Sequence, residues 1–168
     1  MFLDTNVIIE CFRIGAWAQL SSALRLETVD ECCTEALTGE TSRPGRVDVD
    51  ASMLRTGLAV IHRVTRRELN ALIAKHVQMG TLDAGEKELF AHLFAHEMAS
   101  AHRVALSTAD KGALVRAQDL GWLDSLVSLE TLLNEVGAPR PKMALLGHAY
   151  STRFLDDVRT KIRLGIMP

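Results

Sequence analysis

The sequence predicts an α/β fold: a three-layer α/β/α sandwich with a mostly parallel five-stranded sheet, followed by a C-terminal helical extension. Three observations predict it. Short apolar runs alternate along the chain with segments whose apolar residues recur at helical spacing. Capping residues open those helical segments and glycines close them. Strands that alternate with helices in this way form a parallel sheet covered on both faces. At 168 residues and 18.5 kDa the chain is long enough for one domain with a full core and a short appendage. The expected division is a domain over residues 1–136, then a linker and an amphipathic helix over 137–168.

Phe2-Leu3 reads as a short buried strand that ends near Asp4 and runs into a helix through Val7-Ile8-Ile9. Trp17, Leu20, Ala23 and Leu24 give the next helix, and Leu26 to Val29 a second strand. Asp30 caps a helix through Leu37 that Gly39 stops. Residues 39–56 are rich in Gly, Thr, Ser, Arg and Asp and read as a loop or loosely structured insertion. Gly57 to His62 is the third strand. Thr65-Arg66-Arg67-Glu68 is a capping box, in which a hydroxyl and a carboxylate satisfy free amides at the helix start. Asp83-Ala84-Gly85-Glu86 is a second such pattern, opening a helix that buries Leu89, Phe90, Leu93, Phe94 and Met98. Glu97 falls near that apolar face, where it pairs with an arginine such as Arg103 or marks the end of the helix. Arg103 to Thr108 is the fourth strand, Asp110 to Leu120 a helix capped by Gly121, Leu123 to Ser128 the fifth strand, and Leu129 to Val136 a helix. Beyond the linker at 137–141, Tyr150, Phe154, Val158 and Ile162 form a narrow apolar stripe that must dock on its own domain or on a partner.

Composition narrows the function. With 48% hydrophobic and 24% charged residues, the chain is neither disordered, nor collagen-like, nor a disulfide scaffold. A net charge of −2 excludes a polycation, so any nucleic-acid binding needs a local patch. One exists: residues 137–168 hold six basic residues against two acidic. No apolar run approaches the roughly 18 residues of a membrane span, so no membrane partner is expected. Asp4 follows the first three residues too soon for a signal peptide. Cys11, Cys32 and Cys33 read as reduced and mostly buried, which favours a cytoplasmic setting.

In parallel sheets functional groups gather beyond the C-terminal ends of the strands. Asp4 sits at the end of the first strand and Asp110 just past the fourth. Glu86 lies in the first turn of the preceding helix, and Glu35 about one turn into the helix after the second strand. Four carboxylates sharing a pocket repel, so the arrangement makes sense with hard divalent cations, Mg²⁺ or Mn²⁺. Such an ion activates water and neutralises the charge developing on a phosphodiester. Each residue also has a local explanation: Asp4, Glu86 and Asp110 as helix-start residues, Glu35 as solvated surface with Glu31 as its competitor.

These residues resemble a family. MFLDTNVII at the start is similar to the first motif of PIN domains, a hydrophobic strand followed by Asp-Thr-Asn. LDAGEKELFAHLFA over 82–95 resembles the Gly-Glu form of the third motif, and VALSTADKGALVRAQDLGW over 104–122 the fourth. LVSLETLL over 126–133 is similar to the segment that closes the domain. The resemblance covers roughly residues 1–136. It implies a divalent-metal-dependent ribonuclease that acts through a metal-bound water, with Asp4, Glu35, Glu86 and Asp110 as the catalytic set. Of these Asp4, Glu86 and Asp110 are the metal ligands, and Asn6 and Thr108 the supporting polar residues. It also implies an RNA substrate and, since many bacterial relatives are toxins of toxin–antitoxin pairs, an antitoxin partner and a homodimer as further expectations. The sequence departs from the family at Glu86, which stands for Asp, and at Ala109, where many relatives carry another acidic residue. The alternative is a PIN-like module that binds nucleic acid or protein without turnover.

Basic residues complete the expectation. Arg63, Arg66 and Arg67 can line a phosphate-binding edge, although a solvated helix face accounts for them equally well. Arg153, Arg159, Lys161 and Arg163 lie opposite the C-terminal stripe and can attract an RNA backbone. His92 and His96 are four apart on a helix, a spacing able to bind zinc. Leu93 follows His92 where a zinc-protease motif has Glu, so the flank of a core helix is the preferred reading. His62, His76, His102 and His148 have no ligand spacing.

Overall fold

A computed structural model describes residues 1–38, 47–98 and 104–167. The chain is α/β, with four strands among the described residues, all parallel, in the order β3-β2-β1-β4. β1 (Phe2–Leu3) leads through α1 (Thr5–Arg13) and α2 (Trp17–Ala23) to β2 (Glu27–Val29). Then α3 (Asp30–Thr38) and α4 (Ala51–Gly57) lead to β3 (Val60–His62). α5 (Arg66–Lys75) and α6 (Ala84–Ala95) carry the chain back across the sheet to β4 (Leu106–Ser107). α7 (Lys111–Asp119), α8 (Leu129–Glu135), the short α9 (Arg140–Met143) and α10 (Thr152–Arg163) follow.

Successive strand residues point to opposite faces, and β1 divides the core accordingly. Phe2 packs with Leu89, Phe90, Leu114 and Trp122, while Leu3 packs with Ile8, Leu20, Leu54 and Leu132. All of these residues are essentially inaccessible to solvent.

The C-terminal extension docks on its own domain. Ser151 accepts from Phe154 N to cap α10, which begins after Tyr150. The buried stripe is therefore Leu155, Val158 and Ile162, in the same core as Phe2 and Trp122, while Tyr150 packs with the other cluster. The connecting segment is tied down by Arg13 donating to Leu145 O (2.6 Å), Gly147 N to Glu10 Oε1 (2.7 Å) and Lys142 to Gly15 O (2.5 Å).

Three expectations change. The third strand, expected from Gly57, begins at Val60, because Gly57 ends α4. The expected fifth strand over Leu123 to Ser128 becomes a 3-10 turn, Leu123–Ser125, and a single parallel bridge between Leu126 and Leu106. The turn satisfies this backbone locally, with Ser125 N donating to Trp122 O at 2.9 Å, and Arg159 holds it from α10 by donating to the Leu123 and Leu126 carbonyls. The expected insertion over 39–56 is helical from Ala51, with Asp50 accepting from Met53 N and Leu54 fully buried. Residues 39–46 of it, and Arg103 of the fourth strand, lie outside the described residues, as does any pairing of Arg103 with Glu97. Glu97 itself marks the end of α6. It adopts φ 51°, with Glu97 N bonded to Phe94 O and Met98 N to Leu93 O. That is the helix-closing arrangement which glycine usually serves, and which Gly121 serves after α7.

Candidate active site

The strand order reverses between β1 and β4. The chain steps from β1 to β2 and β3 on one side, then returns to pair β4 with the other edge of β1. In an open parallel sheet the crevice at such a reversal, beyond the strands' C-terminal ends, is where ligands bind. Asp4 follows β1 there, and Thr108 follows β4. Asp4 N donates to Ser107 O at 3.0 Å, which joins the two strand ends.

A hydrogen-bond relay crosses the gap. Thr108 Oγ1 donates to Asp4 Oδ2 at 3.0 Å and accepts from Asp110 N at 3.2 Å. Asp4 Oδ1 accepts from Thr5 N at 2.7 Å, and Asp110 Oδ1 caps α7 through Ala113 N at 3.0 Å. Local helix-start chemistry therefore orients both carboxylates while the tertiary fold brings them to one crevice.

Glu35 and Glu86 join from α3 and α6. Thr5 Oγ1 donates to Glu35 Oε2 at 2.7 Å, and Gly85 N donates to Glu35 Oε1 at 2.9 Å. A Cβ on residue 85 would stand 3.0 Å from both Glu35 Cδ and Thr5 Oγ1, so only glycine permits this approach. Both Glu35 oxygens are thus engaged in holding α1, α3 and α6 together. Glu86 keeps half of its expected capping role, since its carboxyl accepts from the Asp83 backbone at the start of α6. Asp83 occupies the N-cap position of α6 but its side chain caps nothing, and the Glu86 carboxyl is buried.

The electrostatics are those of crowded acids. Burial pushes Asp4 up to about 6 against the hydrogen bonds from Thr108 and Thr5, with the Glu35 and Asp110 charges adding to the rise. Burial pushes Glu86 up to about 8, reinforced by Asp4, Asp110 and Asp83. The donors are all carboxylate oxygens, the hard set that suits Mg²⁺ or Mn²⁺. A cation would relieve the repulsion that raises both acids. The set is not drawn as tight as a closed metal cage: among the described residues, the three-residue group with ligand atoms all within 4.8 Å of one another is Glu68, His92 and His96.

Of the other expected residues, Asn6 is exposed on the first turn of α1 and makes no side-chain hydrogen bond among the described residues, whereas its neighbour Thr5 is the one that reaches Glu35. Arg63, Arg66, Arg67 and Arg153 are exposed. Arg159 is engaged with backbone carbonyls, Lys161 pairs with Asp157 at 2.6 Å, and Arg163 with Asp124 at 2.7 Å. Sequence reasoning missed Glu10, which is buried in α1 and accepts two hydrogen bonds from Arg13. It also missed Tyr150, whose phenol burial pushes up to about 12, with Glu10 and Asp4 contributing. The available signals were an acid within an apolar helix with Arg three residues on, and the chain's single tyrosine.

No family model matches the chain, and neither a curated protein nor a solved structure matches it. The site's own chemistry therefore carries the functional reading.

Proposed function

We propose that this chain is a divalent-metal-dependent nuclease that hydrolyses RNA phosphodiester bonds, on a PIN-like three-layer scaffold. The observation that carries the reading is the Asp4–Thr108–Asp110 relay across the ends of β1 and β4, with buried Glu86 beside it. The two apolar clusters divided by β1 support the layered scaffold, and the Leu126 bridge stands where a fifth strand would extend the sheet.

Asp4, Asp110 and Glu86 would hold the cation. A hard divalent cation in such a set supplies charge neutralisation at the phosphodiester and an acidified water. The residues of the chain do the rest. Thr108 orients Asp4 and fixes the start of α7 through Asp110 N. Glu35 sets the spacing of α1 and α6 through Thr5 and Gly85. Burial and its acidic neighbours raise the Glu86 pKa to about 8, so cation binding there would favour its ionised form and be pH-dependent, because metal ligation needs the carboxylate.

The test is cleavage of structured and single-stranded RNA, with DNA of the same sequence as a parallel arm, in Mg²⁺, Mn²⁺ or chelator. The expected outcome is metal-dependent cleavage of RNA. Equal cleavage in chelator would refute the metal requirement, and cleavage of DNA alone would refute the substrate class.

A further inference from the structure

A second group of ligating side chains lies away from the acidic crevice, between α5 and α6. We propose that Glu68, His92 and His96 form a separate site for a borderline transition-metal ion, Zn²⁺ above all, that clamps these two helices together. It is independent of the nuclease reading and uses none of the same residues.

The geometry is already close to what such an ion requires. Glu68 Oε1 stands 3.2 Å from His96 Nε2 and 3.6 Å from His92 Nδ1. Tetrahedral zinc with bonds of about 2.0–2.2 Å sets its ligand atoms roughly 3.3–3.5 Å apart. The i, i+4 spacing puts both imidazoles on one face of α6, and the capping box of α5 aims the carboxylate at them. Glu68 Oε2 accepts from Thr65 N at 2.7 Å and from Thr65 Oγ1 at 2.6 Å, which leaves Oε1 to face the histidines. Outer hydrogen bonds that fix a ligand's orientation are a regular part of metal sites.

The independent observation is His92. It is 7% exposed, yet neither ring nitrogen has a hydrogen-bond partner among the described residues. The Glu68 oxygen at 3.6 Å is too far for a hydrogen bond. A neutral imidazole has one N–H and one lone-pair nitrogen, and leaving a buried polar group of either kind unpaired costs about 1–3 kcal/mol. Coordination of one nitrogen removes an orphan acceptor, and the ion draws in the carboxylate that now stands too far off. The His62 ring stacks on His92 with centroids 4.1 Å apart, and its Nε2 is held by Glu27 at 2.7 Å. His62 therefore forms a wall of the site and stays outside the donor set. Two imidazoles and one carboxylate select zinc-like ions over Mg²⁺, which prefers oxygen and water. The His96 side chain is 55% exposed, so the ion has a route in and an outer position for water.

Protein stripped with chelator would be titrated with Zn²⁺ by calorimetry, and its imidazole nitrogens followed by long-range ¹H–¹⁵N NMR. The expected result is one equivalent bound, a raised melting temperature, and shifts at one nitrogen each of His92 and His96. His96→Ala is the variant of choice because the side chain is exposed and its loss spares the fold; it should weaken Zn²⁺ binding about tenfold or more. His148→Ala, a histidine beside α10 and outside both sites, should leave Zn²⁺ binding unchanged. Absence of Zn²⁺ binding by the wild-type chain would overturn the proposal. So would unchanged affinity in His96→Ala, or binding lost in His148→Ala while His96→Ala retains it.

Discussion

Thr108 and Asp4, 104 positions apart in sequence, are joined by a hydrogen bond of 3.0 Å from the threonine hydroxyl to Asp4 Oδ2. The same hydroxyl accepts from Asp110 N, so one side chain links the two acids that end neighbouring strands. Thr108→Val keeps the shape and removes the link. A hydrogen bond to a charged group is worth about 1.5–3 kcal/mol, so the variant should lose stability on that order at pH 8, where Asp4 is ionised, and less at pH 5. Thr108→Ser should retain most of it. Urea unfolding at the two pH values checks this, and equal losses in both variants would contradict the relay.

Glu35 and Gly85 present a steric test. Gly85→Ala pushes a methyl group against the Glu35 carboxyl and Thr5 Oγ1, and overpacking of this kind costs about 1–3 kcal/mol. Removing the obstacle with Glu35→Ala should recover part of that cost in the double variant. A double-mutant cycle measures the coupling; strictly additive losses would mean that the two residues do not share the space.

The raised acids set a pH dependence with a definite sign. A carboxyl whose folded pKa lies above its unfolded value favours the folded state below the unfolded pKa, and that contribution is lost as pH rises through the folded pKa. For Asp4 the window runs from 3.8 to about 6, and for Glu86 from 4.5 to about 8. Without divalent cation, stability from these two groups should fall across pH 4–8, with Glu86, whose window is wider, giving the larger share. His92 runs the other way: burial, with His62 and His96 adding to it, outweighs the Glu68 carboxylate and lowers its pKa, so stability from it rises with pH up to its unfolded value of 6.5. The difference between wild type and Asp4→Asn isolates the Asp4 share. Saturating Mn²⁺ should flatten the decline, because an ion that binds the folded state alone stabilises it. Thermal melts over the pH range, with and without Mn²⁺, provide the check.

Local signals made much of this legible in the sequence. Asp4 and Asp110 each follow an apolar run and open a helix, and parallel topology sends both to one end of the sheet. Thr65 and Glu68 form the capping box that their spacing indicates. What could not be read depends on groups far apart in sequence. Glu68 does double duty, since the oxygen left over from the capping box meets histidines 24 and 28 residues later. His62 has no ligand spacing, yet the fold stacks it on His92. The fifth strand gives way to a 3-10 turn whose backbone bonds to itself, and Arg159, from the C-terminal helix, holds the Leu123 and Leu126 carbonyls. Leu155 escapes the stripe read from Tyr150 because that stripe begins before the helix does.

If Asp4 and Asp110 hold the catalytic cation, rates of RNA cleavage in Mn²⁺ depend on both carboxylates. Wild type, Asp4→Asn and Asp110→Asn would be compared under single-turnover conditions, with circular dichroism confirming that all three are folded. Each substitution removes one ligand charge while nearly keeping its shape, and each should lower the rate at least about a hundredfold, in the range of 2.7 kcal/mol or more of lost transition-state stabilisation. Wild-type rates in either folded variant would contradict the assignment.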